Sequence, residues 1–197
     1  MQIILASQSP RRRQLLEQMG VRDFTVRPAV GEEKADPGLS PAELVEALSR
    51  QKAAEVAAGA GEDDLIVAAD TVVAIDGLVL GKPRDRAEAA EMLARLSGRV
   101  HQVFSGLTVR RGDRAVTLHE CTQVRFRKLS RREIEAYLDT GEPMDKAGAY
   151  GIQGCGAVLV ESISGDFYNV MGLPVCRLYE LLREFGADPL AAGGPAT

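Results

Sequence analysis

The sequence predicts an α/β fold, and three observations predict it. Leu65 to Ile75, LIVAADTVVAI, is an apolar, β-branched run interrupted only by Asp70 and Thr71, the pattern of a strand covered on both faces. Helix-start signals recur between strand-like runs, at Ser9, Ser40, Asp85 and Ser130. Strand and helix signals intermix from end to end, with no internal repeat and no domain-scale linker, so they assemble as one domain or as two lobes sharing a core.

Taken in order, Ile3 to Leu5 form a short first strand. Ser9 as N-cap and Pro10 at the first helical position open a helix, Leu15, Leu16 and Met19 keep helical spacing, and Gly20 closes it. Arg11, Arg12 and Arg13 fill its first turn, where the helix dipole disfavours cations, and Arg12 stands where Glu would complete a capping box. Arginines beside exposed backbone N–H groups make an anion site, and the small residues Ala6 and Ser7 before them favour phosphate; the plainer alternative is a solvated basic turn. Phe24 to Val26 suggest a second strand, followed by an acidic loop with Glu32 and Glu33 and then Pro37 and Gly38. Ser40, Pro41 and Glu43 form a capping box for a helix whose apolar stripe is Leu44, Leu48 and Val56. Lys52 lies on that stripe, either snorkelling or reaching from the buried face as a phosphate ligand.

Within Leu65–Ile75, a carboxylate at Asp70 loses water, which costs several kcal/mol if it stays unpaired. It therefore needs a metal ion, a cationic partner or a wet cleft, unless the strand simply ends there and turns. Asp76-Gly77 is a hairpin signal, and Lys82 sits in a rigid turn between Gly81 and Pro83. Asp85 and Glu88 cap a third helix with Ala89, Met92, Leu93 and Leu96 inward, closed by Gly98. Val100–Val109 and Ala115–Phe126 read as a long hairpin around Arg111-Gly112-Asp113, with one face wet. Ser130 and Glu133 cap a fourth helix through Leu138. DKAGAYGIQG, Asp145 to Gly154, is too glycine-rich for a regular element and lets backbone approach a ligand. Val158 to Ile163 is predicted as a strand, Gly165 to Pro174 as a loop and Val175 to Phe185 as a last amphipathic helix. The domain is expected to span 1–186, with 187–197 as a disordered tail.

The bulk properties exclude several classes. A net charge of −4 and a pI near 5.3 are a poor match for binding a nucleic acid polymer. No apolar run approaches the roughly 18 residues of a membrane span. The segment MQIILAS lacks the charged leader of a signal peptide. Cys121, Cys155 and Cys176 have no metal-ligand or redox spacing and read as reduced, packed thiols of a cytoplasmic protein. His101 and His119 are isolated, which argues against a histidine-based site.

The motifs LASQSPRR, AADT, GKP, LSGRVHQV, DKAGAYGIQG and GDFYNVMGLP occur in that order, and with them the chain from Ile4 to Phe185 resembles the Maf-type nucleoside triphosphate pyrophosphatases, more narrowly the branch acting on dTTP and UTP. The resemblance implies a Maf-like, inosine-triphosphatase-like fold: an elongated mixed sheet with flanking helices and two lobes around a deep cleft. It implies hydrolysis between the α and β phosphorus atoms with a divalent cation, Mg²⁺ or Mn²⁺, a role in nucleotide-pool clean-up, and a homodimer. Matched by motif, Asp70 takes the proton-acceptor position. Arg11, Thr71 and Gln153 fall on the positions that mark the dTTP/UTP branch. Ser7, Arg12, Lys52 and Lys82 match phosphate-binding positions, and Glu33 joins Asp70 as a metal-binding acid, with Glu32 the alternative in the loosely aligned acidic loop.

The chemistry agrees with those residue types. Phosphoryl transfer needs positioning and charge neutralisation, which Arg11, Arg12, Lys52, Lys82 and the Ser7 hydroxyl supply. Uracil and thymine present acceptor, donor and acceptor along one edge, and the Gln153 amide answers two of the three. Two other readings stand beside this one: a nucleotide-binding regulator of cell division or septum formation with little catalysis, and a relative that prefers 7-methylguanosine triphosphate or another modified nucleotide.

Overall fold

β3, Leu65–Ile75, runs without a break through Asp70, so the strand does not end at the acid. In the computed structural model, which describes residues 1–36 and 38–192, it belongs to a seven-stranded sheet. The other strands are β1 (Ile3–Leu5), β2 (Phe24–Val26), β4 (Leu78–Leu80), β5 (Val100–Arg111), β6 (Arg114–Phe126) and β7 (Val160–Ser164). Their order is β2-β1-β3-β5-β6-β7, with β4 on β3. β1 pairs in parallel with β2 and with β3, and β3 pairs antiparallel with β4 (Val73 opposite Leu80), so the sheet is mixed as expected. The β3–β4 turn carries Asp76 and Gly77 at positive φ, the hairpin chemistry that Asp-Gly signals. Mixed pairing places apolar runs where both faces are covered: Leu65 to Ala69 are all buried.

The helices are α1 (Pro10–Gln18), α2 (Pro41–Ala57), α3 (Arg86–Leu96), α4 (Arg131–Leu138), α5 (Phe167–Val170), α6 (Val175–Glu184) and α7 (Pro189–Ala192). Each predicted cap forms. Ser9 accepts from the Arg12 N–H, Asp85 from the Glu88 N–H, and Ser40–Glu43 and Ser130–Glu133 close reciprocal capping boxes.

The chain divides into two compact units. The first comprises 1–70, 105–120 and 172–197, and the second 71–104 and 121–171. In the first, Ile4, Ala6, Ala53, Val56, Ile66 and Ala68 form a core in which α2 packs on β1 and β3, three of the six being alanines. At Gly106 the approach is so close that a Cβ would lie 2.1 Å from the Val45 carbonyl oxygen. The second unit holds a larger-residue core, with Phe126, Leu93, Leu96, Val124, Tyr137 and Tyr150 among its members.

The structure corrects several expectations. The buried side of α2 is Val45, Leu48, Ser49, Ala53 and Val56, while Leu44 is only half-buried. β7 starts at Val160, because Gly154–Leu159 coils as a 3₁₀ turn after Gly154 enters the left-handed region. The predicted Gly165–Pro174 loop contains α5, capped by Asp166 accepting from the Tyr168 N–H. Cys155 and Cys176 are exposed free thiols and not packed ones. Residues 187–192 are not a structureless tail: the Ala187 N–H bonds the Leu182 carbonyl and α7 follows. Residues 193–197 of that stretch, like Pro37, lie outside the described residues. No helix among the described residues is long and apolar enough to cross a membrane.

Candidate active site

Asp70 is the last residue of the first unit, and its side chain is 12% exposed. The cationic partner its burial demands is Lys52, projected from α2. Lys52 Nζ lies 2.5 Å from Asp70 Oδ1 and 2.8 Å from Glu33 Oε1, so one ammonium bridges two carboxylates. Lys52 therefore does not snorkel out to water. Glu33 and Glu32 part ways here: Glu32 is 82% exposed and faces Lys34 at 3.8 Å.

The acidic loop is tied to α2 by residues that flank Lys52. Glu55 Oε1 accepts from the N–H groups of Val30 and Gly31 at 2.7 and 3.0 Å. Gln51 donates to the Glu32 carbonyl at 2.6 Å and accepts from the Lys34 N–H at 3.1 Å. These bonds orient Glu33 toward Lys52. Sequence reading passed over Gln51 and Glu55, although their spacing of four places them on one face of the helix beside Lys52.

The basic start of α1 is organised by hydrogen bonds. Ser7 Oγ accepts from the Ser9 N–H at 3.1 Å and from Arg12 Nη1 at 3.2 Å, which leaves its O–H proton to donate. Arg12 Nε donates to the Gly172 carbonyl at 2.7 Å, a contact no local signal could announce. Burial lowers the affinity of the Arg12 guanidinium for its proton, the Asp70 carboxylate opposes this, Arg11 adds to the lowering and Glu33 opposes it. The guanidinium stays charged at any ordinary pH. Ser7, Arg11, Arg12, Glu33, Lys52 and Asp70 thus share one electrostatic environment within the first unit. Among the described residues, no group of three or more His, Cys, Asp or Glu side chains gathers to hold a metal ion.

Thr71, Lys82 and Gln153 belong to the second unit. Thr71 is half-buried on β3, directly after Asp70. Lys82 is exposed, and its turn is pinned where the Gly148 N–H bonds the Gly81 carbonyl at 3.0 Å. Gly148 has a φ of +67, and a Cβ there would meet Val73 Cγ2 at 2.8 Å, so the glycine of the DKAGAYGIQG motif is required by both backbone and space. Gln153 is exposed at the head of the 3₁₀ turn. His101 stays outside this chemistry: it is buried, bonded through Nε2 to the Tyr150 hydroxyl at 2.8 Å.

The family profile of Maf-like proteins matches residues 2–185. The chain belongs to the Maf-like protein family. Among its relatives, the Maf-like chain is 54% identical over 196 residues to a dTTP/UTP pyrophosphatase of Symbiobacterium thermophilum, covering 98% of each chain. It is 51% identical over 183 residues to a dTTP/UTP pyrophosphatase of Bacillus velezensis, covering 93% of this chain and 96% of the relative. Among solved structures, a HAM1 protein from Coxiella burnetii is 16% identical, with a TM-score of 0.52 over 93% of this chain and 99% of that one, a likeness of fold.

Proposed function

We propose that this Maf-like chain hydrolyses dTTP and UTP between the α and β phosphorus atoms, releasing the nucleoside monophosphate and pyrophosphate, in nucleotide-pool clean-up. The observation that carries the reading is the ammonium of Lys52 held between Asp70 and Glu33, beside the Ser7–Arg12 anion site. The dTTP/UTP pyrophosphatases named above, identical at about half their positions over nearly the whole chain, support the substrate.

A triphosphate carries about three to four negative charges near neutrality, and its attraction to cations grows as water leaves. Arg11, Arg12 and Lys52 meet that charge, the Ser7 proton and the N–H groups opening α1 receive phosphate oxygens, and Lys82 is assigned to phosphate on the motif resemblance alone. As Lys52 turns to a phosphate, Asp70 is released from its ion pair and takes a proton from a water molecule. The water oxygen bonds to the α phosphorus while the bond to the bridging oxygen breaks, and pyrophosphate leaves. Two carboxylates facing one cation suit the oxygen-donor preference of Mg²⁺ or Mn²⁺, which takes one or two carboxylates plus substrate phosphates. Glu33 and Asp70 would hold that ion, and when bound it would neutralise phosphate charge. Base choice is assigned to Arg11, Thr71 and Gln153 on the motif resemblance.

The test is initial-rate pyrophosphate release across a nucleotide panel with Mg²⁺ and Mn²⁺, run beside Asp70→Asn. dTTP and UTP are expected to lead, and the variant to lose about two to four orders of magnitude in turnover, as general-base removal does. Near wild-type turnover in Asp70→Asn would exclude Asp70 as the base. A preference for 7-methylguanosine triphosphate would overturn the substrate, and no release from any nucleotide would turn the reading toward a non-catalytic regulator.

A further inference from the structure

We infer that Glu142, together with the Tyr137 hydroxyl, is a positioning residue for base recognition, the internal anchor around which the Gly151–Gly156 segment is wound so that Gln153 is presented outward. The inference rests on the proposed reading in which Gln153 meets the base.

Among the described residues, the bonds that the Glu142 carboxylate accepts come from that segment or from Tyr137. Oε2 accepts from the Cys155 N–H at 2.9 Å, and Oε1 accepts from the Gly156 N–H at 3.1 Å and the Tyr137 hydroxyl at 2.9 Å. The same hydroxyl accepts from the Gly151 N–H at 3.0 Å. Both ends of the segment are therefore bound to two side chains from outside it, α4 supplying one and the 3₁₀ turn at Glu142–Asp145 the other. Burial raises the Tyr137 pKa well above the ordinary phenol value, so the hydroxyl keeps its proton to donate. The Lys146 ammonium is engaged by the Asp145 carboxylate and the Glu142 carbonyl, both at 2.6 Å. Backbone N–H groups and one phenol are thus the hydrogen-bond donors to the Glu142 carboxylate.

The glycines record how tightly the backbone wraps. A Cβ at Gly154, where φ is +69, would stand 2.7 Å from Glu142 Oε2. A Cβ at Gly156 would stand 2.1 Å from the Gly151 carbonyl oxygen and 2.7 Å from the Tyr137 hydroxyl. Gln153 lies between the anchored ends with its side chain in the open. An amide at position 142 would keep the size but face at least one N–H with an NH₂ group, so the anchor depends on a carboxylate that only accepts.

The experiment compares kcat/KM for dTTP and dCTP, both pyrimidines, which differ in the hydrogen-bonding edge and in thymine's C5 methyl group. It uses the wild type, Glu142→Gln, Tyr137→Phe and Gln153→Glu, and it also measures backbone amide exchange over 151–157 in the ligand-free proteins. Glu142→Gln and Tyr137→Phe are each expected to lower the dTTP/dCTP ratio about tenfold, the cost of hydrogen bonds lost to a charged acceptor. The loss should fall on KM for dTTP, with kcat within about threefold, and amide exchange should quicken. If Gln153→Glu moves the ratio while both anchor variants leave ratio and exchange unchanged, the anchor is overturned and the substrate reading stands. A fall in kcat with the ratio intact also overturns it, since that is a general structural effect. If the wild type does not discriminate dTTP from dCTP while the anchor variants exchange faster, the substrate reading fails and with it the specificity role. Tyr137→Phe keeps the test available should Glu142→Gln fail to fold.

Discussion

Lys52 holds two acids at once, and that makes its removal costly in a measurable way. Lys52→Met leaves the nearly buried Asp70 carboxylate without its cation. Urea unfolding is expected to show a loss on the order of 1–3 kcal/mol, the cost of an unpaired buried group. Lys52→Met combined with Asp70→Asn should recover most of it, because the charge that needed a partner is gone; an equal loss in single and double variants would deny the coupling. His101 makes a separate prediction. Burial presses its pKa down from 6.5 to about 4, so the ring is neutral in the folded protein at neutral pH. As pH falls from about 6.5 toward 4, the unfolded chain takes up a proton that the folded chain refuses, and stability is lost over that window, on the order of 3 kcal/mol. Above that window the group contributes nothing to the slope. Urea midpoints across pH should fall more steeply for the wild type than for His101→Gln, and parallel curves would contradict a neutral His101. At this scale the sequence made Asp70 legible, because a carboxylate inside an apolar strand must be compensated. It left Glu32 and Glu33 unresolved, because the choice is made by Gln51 and Glu55 bonding the loop backbone from another element.

Elements were legible wherever their ends carry their own chemistry. Ser40–Glu43 and Ser130–Glu133 each bond within four residues, so the caps of α2 and α4 need nothing distant. The strand predicted from Val158 starts two residues late, because Val158 and Leu159 end a 3₁₀ turn whose Cys155 and Gly156 N–H groups are drawn to Glu142. The close seating of α2 on β5 was equally hidden, and it yields a prediction. A Cβ at Gly106 would meet backbone atoms of Val45 and Glu46 at 2.1–2.8 Å, which no rotamer change relieves. Gly106→Ala is therefore expected to destabilise by about 3 kcal/mol or more. It should also slow pyrophosphate release, since the helix forced to move carries Lys52. Wild-type stability and rate in that variant would mean that α2 does not pack as described.

For the whole molecule, a mildly acidic chain with a local group of cations should be stabilised by an anionic ligand that only the folded state binds. A non-hydrolysable dTTP analogue with Mg²⁺ at about a hundred times its Kd should add about 2.7 kcal/mol and raise the Tm by several degrees. On the proposed reading, in which the Ser7–Arg12–Lys52 group addresses phosphate, thymidine alone should do far less; equal shifts would refute that. By itself the sequence determined the α/β class, the caps, the order of most elements and membership of the Maf-like family, all of which rest on short-range periodicity, local hydrogen bonds and ordered motifs. Tertiary structure alone decided that Lys52 bridges Glu33 and Asp70, that Gly172 holds Arg12, and that Glu142 anchors the segment bearing Gln153. The physical reason is that each of these depends on hydrogen bonds and charge pairs between segments far apart in the chain, whose partners exist only once the backbone has brought them within about 3 Å of one another.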